Sequence, residues 1–542
     1  MNNSLSNLYA PSNSILPPGH PFIPSGSPPE QTFVPMPTLL NFIWGQRSNR
    51  LYLWITLGIS LVLLTIFKTL YPYPNLVMDS YYYIRAAATN ADVNAWPIGY
   101  SKFLQLVGLF THSPLVLVCI QYLFLELSLL LLFFTIRFFF HLGNVPSIIL
   151  FIFFFANPLF LYTSNLIMAD SLFNGLSILW VVQLLWIIYR PRPYMIVTHA
   201  ALLIITFTVR YNALYYPVVA ALAFLLSRQN IRLKLAGIAL PILLVVGFIA
   251  YTSNKMEAYS GVRQFSPFGG WKLANDALYM YAHIHPDSSD TVPARFRAVD
   301  QITRRYFELS HDPGDLMAPD VFHGSPFMFG GPLMLHMAQL YGQDSAFINF
   351  KKWSRMAPLC TDYGSYLIRK YPLSFARWFL WPNMQRYVNP PREIYMTITP
   401  FFLRPDELGP EATRWFGLTT LMVKPEYIDL RLQIFTFYPL LFGLIHLAFI
   451  LSLLGFLLSK GWRSIGKPYN YCVLAIFFLW LCDLGFSLTA AAIVMRYQIF
   501  MVILELAFSL FFMEFLYLPF HKPQDHDSLE RLSGKEQTAL SR

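Results

Sequence analysis

Four charged residues stand beside long apolar runs in positions where their types and neighbours could do chemistry. Asp79 opens the stretch Met78-Asp79-Ser80-Tyr81-Tyr82-Tyr83-Ile84-Arg85-Ala86-Ala87-Ala88, and Tyr83 follows it by one helical turn. A carboxylate at the head of a short helix can cap free backbone N–H groups. At a membrane surface it can also act as a general base, and capping would only fix its direction. Asp170 stands in Met168-Ala169-Asp170-Ser171, shortly after Ala156-Asn157-Pro158, where an N-cap is again the simple reading. Arg210 lies in Val209-Arg210-Tyr211-Asn212, and Arg496 in Met495-Arg496-Tyr497. An arginine at the edge of an apolar span can snorkel to lipid phosphates.

Other candidates are weaker. Glu126, Asp483, Glu505 and Glu514 fall within apolar runs, at about 2.5–3.5 kcal/mol each near a bilayer centre. They suit a proton relay or Ser, Thr and Tyr partners on neighbouring helices. His283 and His285 lack a nearby third ligand and read as surface residues. Asp525-His526-Asp527 reads as solvated tail, and the four cysteines are too few for a disulfide framework. No C-x-x-C, H-E-x-x-H or Gly-rich phosphate loop is present.

The elements that must position these residues follow from composition. Of 542 residues, 55% are apolar and 13% charged, against about 45–50% and about 25% in soluble domains. This excludes a disordered chain, a coiled coil and an ordinary soluble enzyme. The apolar residues come in runs near the ~20 needed to cross a ~30 Å hydrocarbon core as helix. An all-α integral membrane protein with about ten transmembrane helices is expected, at roughly 51–70, 114–140, 147–161, 166–189, 196–209, 213–227, 235–253, 432–458, 471–490 and 497–518. The formal charge of +10 fits excess Lys and Arg fixing orientation. No nucleic-acid partner is expected, because no basic run carries interleaved aromatics.

Arg47 and Arg50, Arg190 and Arg192, Arg228, Arg232 and Lys234, and Lys460, Arg463 and Lys467 all fall on one side if the N-terminus is cytoplasmic. Both termini are then cytoplasmic. Residues 1–50 read as a flexible Pro- and Ser-rich tail, not a signal peptide, and 519–542 as a second tail. Residues 51–254 form an N-terminal transmembrane module with a first outer loop at 71–113. Residues 255–431 hold 36 of the 68 Asp, Glu, Lys and Arg residues and are long enough for a mainly helical external domain. Residues 432–518 supply the last helices. Within the external segment, Tyr366 to Trp381 mixes cations and aromatics, as suits a helix lying in the membrane interface or a packed amphipathic helix. Spans three, five and six are short. Either they extend into polar residues, or they stop below the outer surface and leave a recess lined by Asn157, Asn165, Asp170, Arg210 and Asn212.

The order of these features is specific. Asp79, Tyr83 and Ala87 at intervals of four, then Pro97-Ile98-Gly99-Tyr100, resemble the C-type (GT-C) glycosyltransferase superfamily. The likeness is to its polyprenyl-phosphate-sugar branch, which includes protein O-mannosyltransferases and lipid A aminoarabinose transferases. The resemblance implies that Asp79 is the catalytic base in the first outer loop. It implies that Asp170 is the acidic residue opening the fourth helix, with Tyr83 beside it on the acceptor side. Arg210, Arg496 and Tyr497 match the family's Arg-Tyr steps and would bind the donor phosphate. It implies inverting transfer of a sugar from a polyprenyl-phosphate donor lipid to a hydroxyl of a glycan, lipid or protein acceptor. The expected setting is the periplasmic face of a bacterial inner membrane, part of the cell envelope, and the lack of N-x-S/T sequons on the outer side fits it. The sequence departs from better-known members in following Asp79 with Ser80 instead of a second acid. It assigns no metal site and no cofactor, and leaves a divalent cation open. The rivals are a polysaccharide polymerase or ligase, a lipid or solute transporter, and a catalytically dead scaffold.

Overall fold

A computed structural model describes residues 38–284, 291–310, 331–342, 349–392, 410–419 and 433–521, with Tyr427 and Leu430. Helix dominates, and among the described residues there is no strand. Among the described residues, eight helical segments are long and apolar enough to cross a bilayer, and the expected spans 196–209 and 213–227 are shorter apolar helices. The chain is an all-α, multi-pass membrane protein.

Helix α1 (Leu39–Gly45) and α2 (Arg47–Leu70) begin inside the stretch expected as tail. Asn49 is the reason for the difference. Its amide donates to the Phe42 carbonyl at 2.9 Å, and its Oδ1 accepts from Arg137 at 2.5 Å. Next come α3 (Met78–Ala88) and α4 (Gly99–Gly108), both in the stretch expected as the first outer loop, and then α5 (Pro114–Phe140). Ser113 caps α5 with Pro114 at its first turn, the arrangement that suits a helix start.

The third crossing is broken. Helix α6 (Asn144–Phe155) stops before Asn157, and α7 (Pro158–Asn165) resumes after it. Pro158 has no N–H to continue the ladder, and the Asn157 side chain caps the new helix at 3.1 Å. Together they span 22 residues, so this short run does extend into polar residues.

Helix α8 (Ala169–Tyr189) is followed by α9 (Met195–Val209), a 3₁₀ turn at Tyr211–Tyr215 and α10 (Tyr216–Leu226). Helix α9 has 15 residues, about 22 Å at 1.5 Å per residue. That falls short of the ~30 Å core. The turn carrying Arg210 follows this short helix and lines a cavity with Tyr211 and Asn212.

Helix α11 (Ile231–Ser260) leads to the segment expected as an external domain, with α12 (Pro267–Tyr281), α13 (Arg297–Ser310), α14 (Pro332–Tyr341), α15 (Phe350–Lys370) and α16 (Trp381–Val388). This segment has its own buried cluster. Helices α12 and α15 pack closely because Gly270 has no Cβ. One built there would lie 2.4 Å from the Ala357 carbonyl oxygen. Trp271 and Trp353 stack beside it at 5.3 Å. The stretch Tyr366 to Trp381 combines both expected characters: Leu367 and Phe379 are buried, whereas Leu373 is 84% and Trp381 62% exposed. Three long helices close the fold, α17 (Tyr438–Leu458), α18 (Lys467–Ala490) and α19 (Met495–His521).

Helix α4 meets α9 through Gly99. A Cβ there would sit 2.5 Å from the Thr208 carbonyl carbon, two residues before Arg210. Gly99→Ala should therefore force the helices apart and cost about 1–3 kcal/mol, the range for overpacking. A lowered melting temperature of the purified protein checks this.

Candidate active site

Asp79 is set by the first turn of α3. The N-cap is Val77, not Asp79: the Ser80 hydroxyl accepts from the Val77 N–H at 3.0 Å, and the Ser80 N–H donates to the Val77 carbonyl at 2.9 Å. Ser80 thus does the capping and leaves the Asp79 carboxylate without a hydrogen bond among the described residues. The side chain is half-buried and lines a cavity of about 540 Å³. Burial pushes its carboxyl above the ordinary range, against the pull of Arg496 and Arg210. Tyr83, one turn on, is buried with its ring edge-to-face on Tyr100 at 4.9 Å, and lines the same cavity.

The two arginines arrive from separate parts of the chain. Arg210 terminates α9 in extended backbone, and Arg496 lies at the start of α19. Both face Asp170, in the first turn of α8. Its Oδ1 pairs with Arg210 Nη1, and its Oδ2 lies 3.6 Å from Arg496 Nη1. The Tyr497 ring lies within cation–π reach of both, 5.2 Å from Arg210 and 5.0 Å from Arg496. Arg496 Nη2 also donates to the Tyr497 hydroxyl at 3.2 Å. One buried carboxylate and one aromatic ring therefore hold two guanidinium groups side by side, and all four residues line the cavity.

Asp79, Tyr83, Asp170, Arg210, Asn212, Arg496 and Tyr497 thus reach one space, whereas Asn157 and Asn165 of the expected recess do not line it: Asn157 caps α7, and Asn165 bonds to Lys68 and the Tyr73 carbonyl. The far wall was not anticipated. It comes from Trp96 in the first outer loop and from Phe268, Lys272 and Asp276 on or beside the first turns of α12. Lys272 and Asp276 are four apart, a spacing that in sequence reads as an ordinary surface pair. Burial pushes the Asp276 carboxyl up to about 8. The wall between α18 and α19 is held by Asn383 of α16. Its amide donates to the Leu488 and Ala491 carbonyls at 3.1 and 2.8 Å, and its Oδ1 accepts from the Ile493 N–H at 2.9 Å. No sequence signal marked this asparagine.

The intramembrane acids all have partners. Glu126 accepts from the Ser60 hydroxyl at 3.0 Å, and Asp483 from Tyr215 and Tyr387 at 2.9 and 3.2 Å. Glu505 lies 2.5 Å from His446 Nδ1, and Glu514 accepts from the Gly143 N–H at 2.8 Å. Glu126 and Asp483 have the expected kind of partner, Ser and Tyr hydroxyls, whereas Glu505 meets a histidine and Glu514 a backbone N–H. His283 stacks on Trp378 at 4.1 Å, and His285 and Asp525-His526-Asp527 lie outside the described residues. Among the described residues, no three His, Cys, Asp or Glu side chains gather as a metal site.

Chemically, the cavity brings a carboxylate with raised proton affinity into the same space as two arginines paired on Asp170. No protein family, curated protein or solved structure matches the chain.

Proposed function

We propose that this protein is an integral-membrane glycosyltransferase that moves one sugar from a polyprenyl-phosphate donor to an acceptor hydroxyl. The observation that carries the reading is the meeting of Asp79 with Arg210 and Arg496 in one cavity, from helices more than a hundred residues apart in the chain. Asp79 removes the acceptor O–H proton as that oxygen bonds to the anomeric carbon. The bond from the anomeric carbon to the phosphate oxygen breaks, and configuration inverts. Negative charge then grows on the leaving polyprenyl phosphate, where fixed cations stabilise it. Asp170 is a positioning residue, because its carboxylate aims both guanidinium groups. The external segment closes the cavity and would help bind a glycan, lipid or protein acceptor. The test is release of polyprenyl phosphate from a labelled donor, coupled to sugar appearing on an acceptor.

Arg392 of the external segment also lines the cavity, which suits a polysaccharide polymerase or ligase. A ladder of lengthening products instead of single additions would identify that activity.

We place the cavity on the periplasmic side of a bacterial inner membrane, with both termini cytoplasmic, from the alternation of basic loops. A reporter active only outside the cytoplasm should work when fused after Asp287 and fail after Lys234 or Lys467. The opposite result at any one position would overturn this topology.

A further inference from the structure

The cavity has a second set of polar groups that the transfer chemistry above leaves unused. Trp96 Nε1 and Asp276 Oδ2 are both buried and have no hydrogen-bond partner among the described residues. Asp276 is only 2% exposed, yet it belongs to the cavity wall. Lys272, one turn before it, makes no hydrogen bond among the described residues. Its ammonium group lies 5.4 Å from the centre of the Phe268 ring. The Phe268 and Trp96 rings meet edge-to-face at 4.4 Å. Buried polar groups are normally satisfied. Orphans that share one corner of a cavity are groups whose partners come with a ligand.

We propose that the corner formed by Trp96, Phe268, Lys272 and Asp276 seats the sugar ring of the donor, and that it takes a neutral sugar rich in hydroxyl oxygens and not an amino sugar. The proposal rests on the transferase reading. Aromatic rings offer apolar surface to the C–H face of a pyranose, and the polar groups meet its edge. Three of those groups are donors at neutral pH: the Trp96 N–H, the Lys272 ammonium, and the Asp276 carboxyl. That carboxyl is mostly protonated because burial holds it up to about 8. Three donors are matched by hydroxyl and ring oxygens. A sugar ammonium would instead face the Lys272 charge. This corner uses neither arginine, so the two ends of one donor are recognised by two sets of residues.

The test measures binding of the purified full chain in nanodiscs to bare undecaprenyl phosphate and to the same lipid carrying glucose, galactose, mannose or 4-amino-4-deoxyarabinose. At least one neutral sugar should bind about tenfold tighter than bare lipid, and the amino sugar should gain nothing. Asp276→Ala and, separately, Trp96→Phe should each remove most of that increment and leave bare-lipid affinity unchanged. Equal affinity of bare and neutral-sugar lipids, a preference for the amino sugar, or variants that weaken bare lipid as much as the glycosylated one would overturn the proposal. Arg210→Ala separates this from failure of the underlying reading. It should weaken every lipid alike, and if it leaves bare-lipid binding intact, the phosphate site itself is wrong.

Discussion

Asp79→Asn should reduce sugar transfer by about 10²–10⁴-fold, the scale of a lost general base, and should leave the melting temperature unchanged or slightly raised. The second half of this expectation follows from the electrostatics. A carboxyl whose folded-state pKa is raised disfavours its ionised form in the fold, so stability is lost as pH climbs through that pKa. Asn keeps the shape and removes the charge. Since Ser80, not Asp79, completes the cap of α3, no helix-capping interaction is lost either. Activity and stability therefore move independently, which a structural role for Asp79 would not allow. The wild-type rate should rise with pH on an acid limb lying above the ordinary Asp pKa of about 3.9, because only the ionised carboxylate accepts a proton. That limb should vanish in Asp79→Asn. Full activity in the variant, measured with a labelled polyprenyl-phosphate donor, would end the general-base mechanism.

The near wall of the site was legible in the sequence because membranes make charge expensive. Asp79, Asp170, Arg210 and Arg496 stand out beside apolar runs, and their place at loop ends fixes which end of the bundle they share. The short span before Arg210 left two readings open, extension into polar residues or a recess, and the helix there has only 15 residues. What the pattern could not give was pairing. Asp170 reads as a helix cap on its own, and only tertiary packing sets it against two arginines. The far wall was illegible for a different reason. Helix α12 belongs to a segment with the charge density of a water-soluble domain, where a Lys and an Asp four apart carry no signal. Asn383 shows the same limit, because its partners lie about a hundred residues away and are backbone groups that any sequence supplies. Span edges shifted where side chains bonded locally, as Asn49 does to Phe42 near the start of α2.

Arg210→Ala and Arg496→Ala should each lower turnover by about 10²–10³-fold, the cost of one preorganised electrostatic donor, and each should weaken binding of bare polyprenyl phosphate. Lysine at either position should rescue partly, since it restores charge but not the planar fork that can face carboxylate and phosphate together. The geometry makes a further distinction. Asp170 touches both guanidinium groups, so either single variant leaves its buried carboxylate with one cation. The double Ala variant leaves none, and an uncompensated buried charge costs about 3–5 kcal/mol. The two single variants should therefore fold with modest losses in melting temperature, while the double variant loses far more than their sum. Replacing Asp170 by Asn in the double background should recover much of that stability without recovering any transfer. Near-normal transfer by both single variants at normal abundance would show that these arginines only anchor the protein.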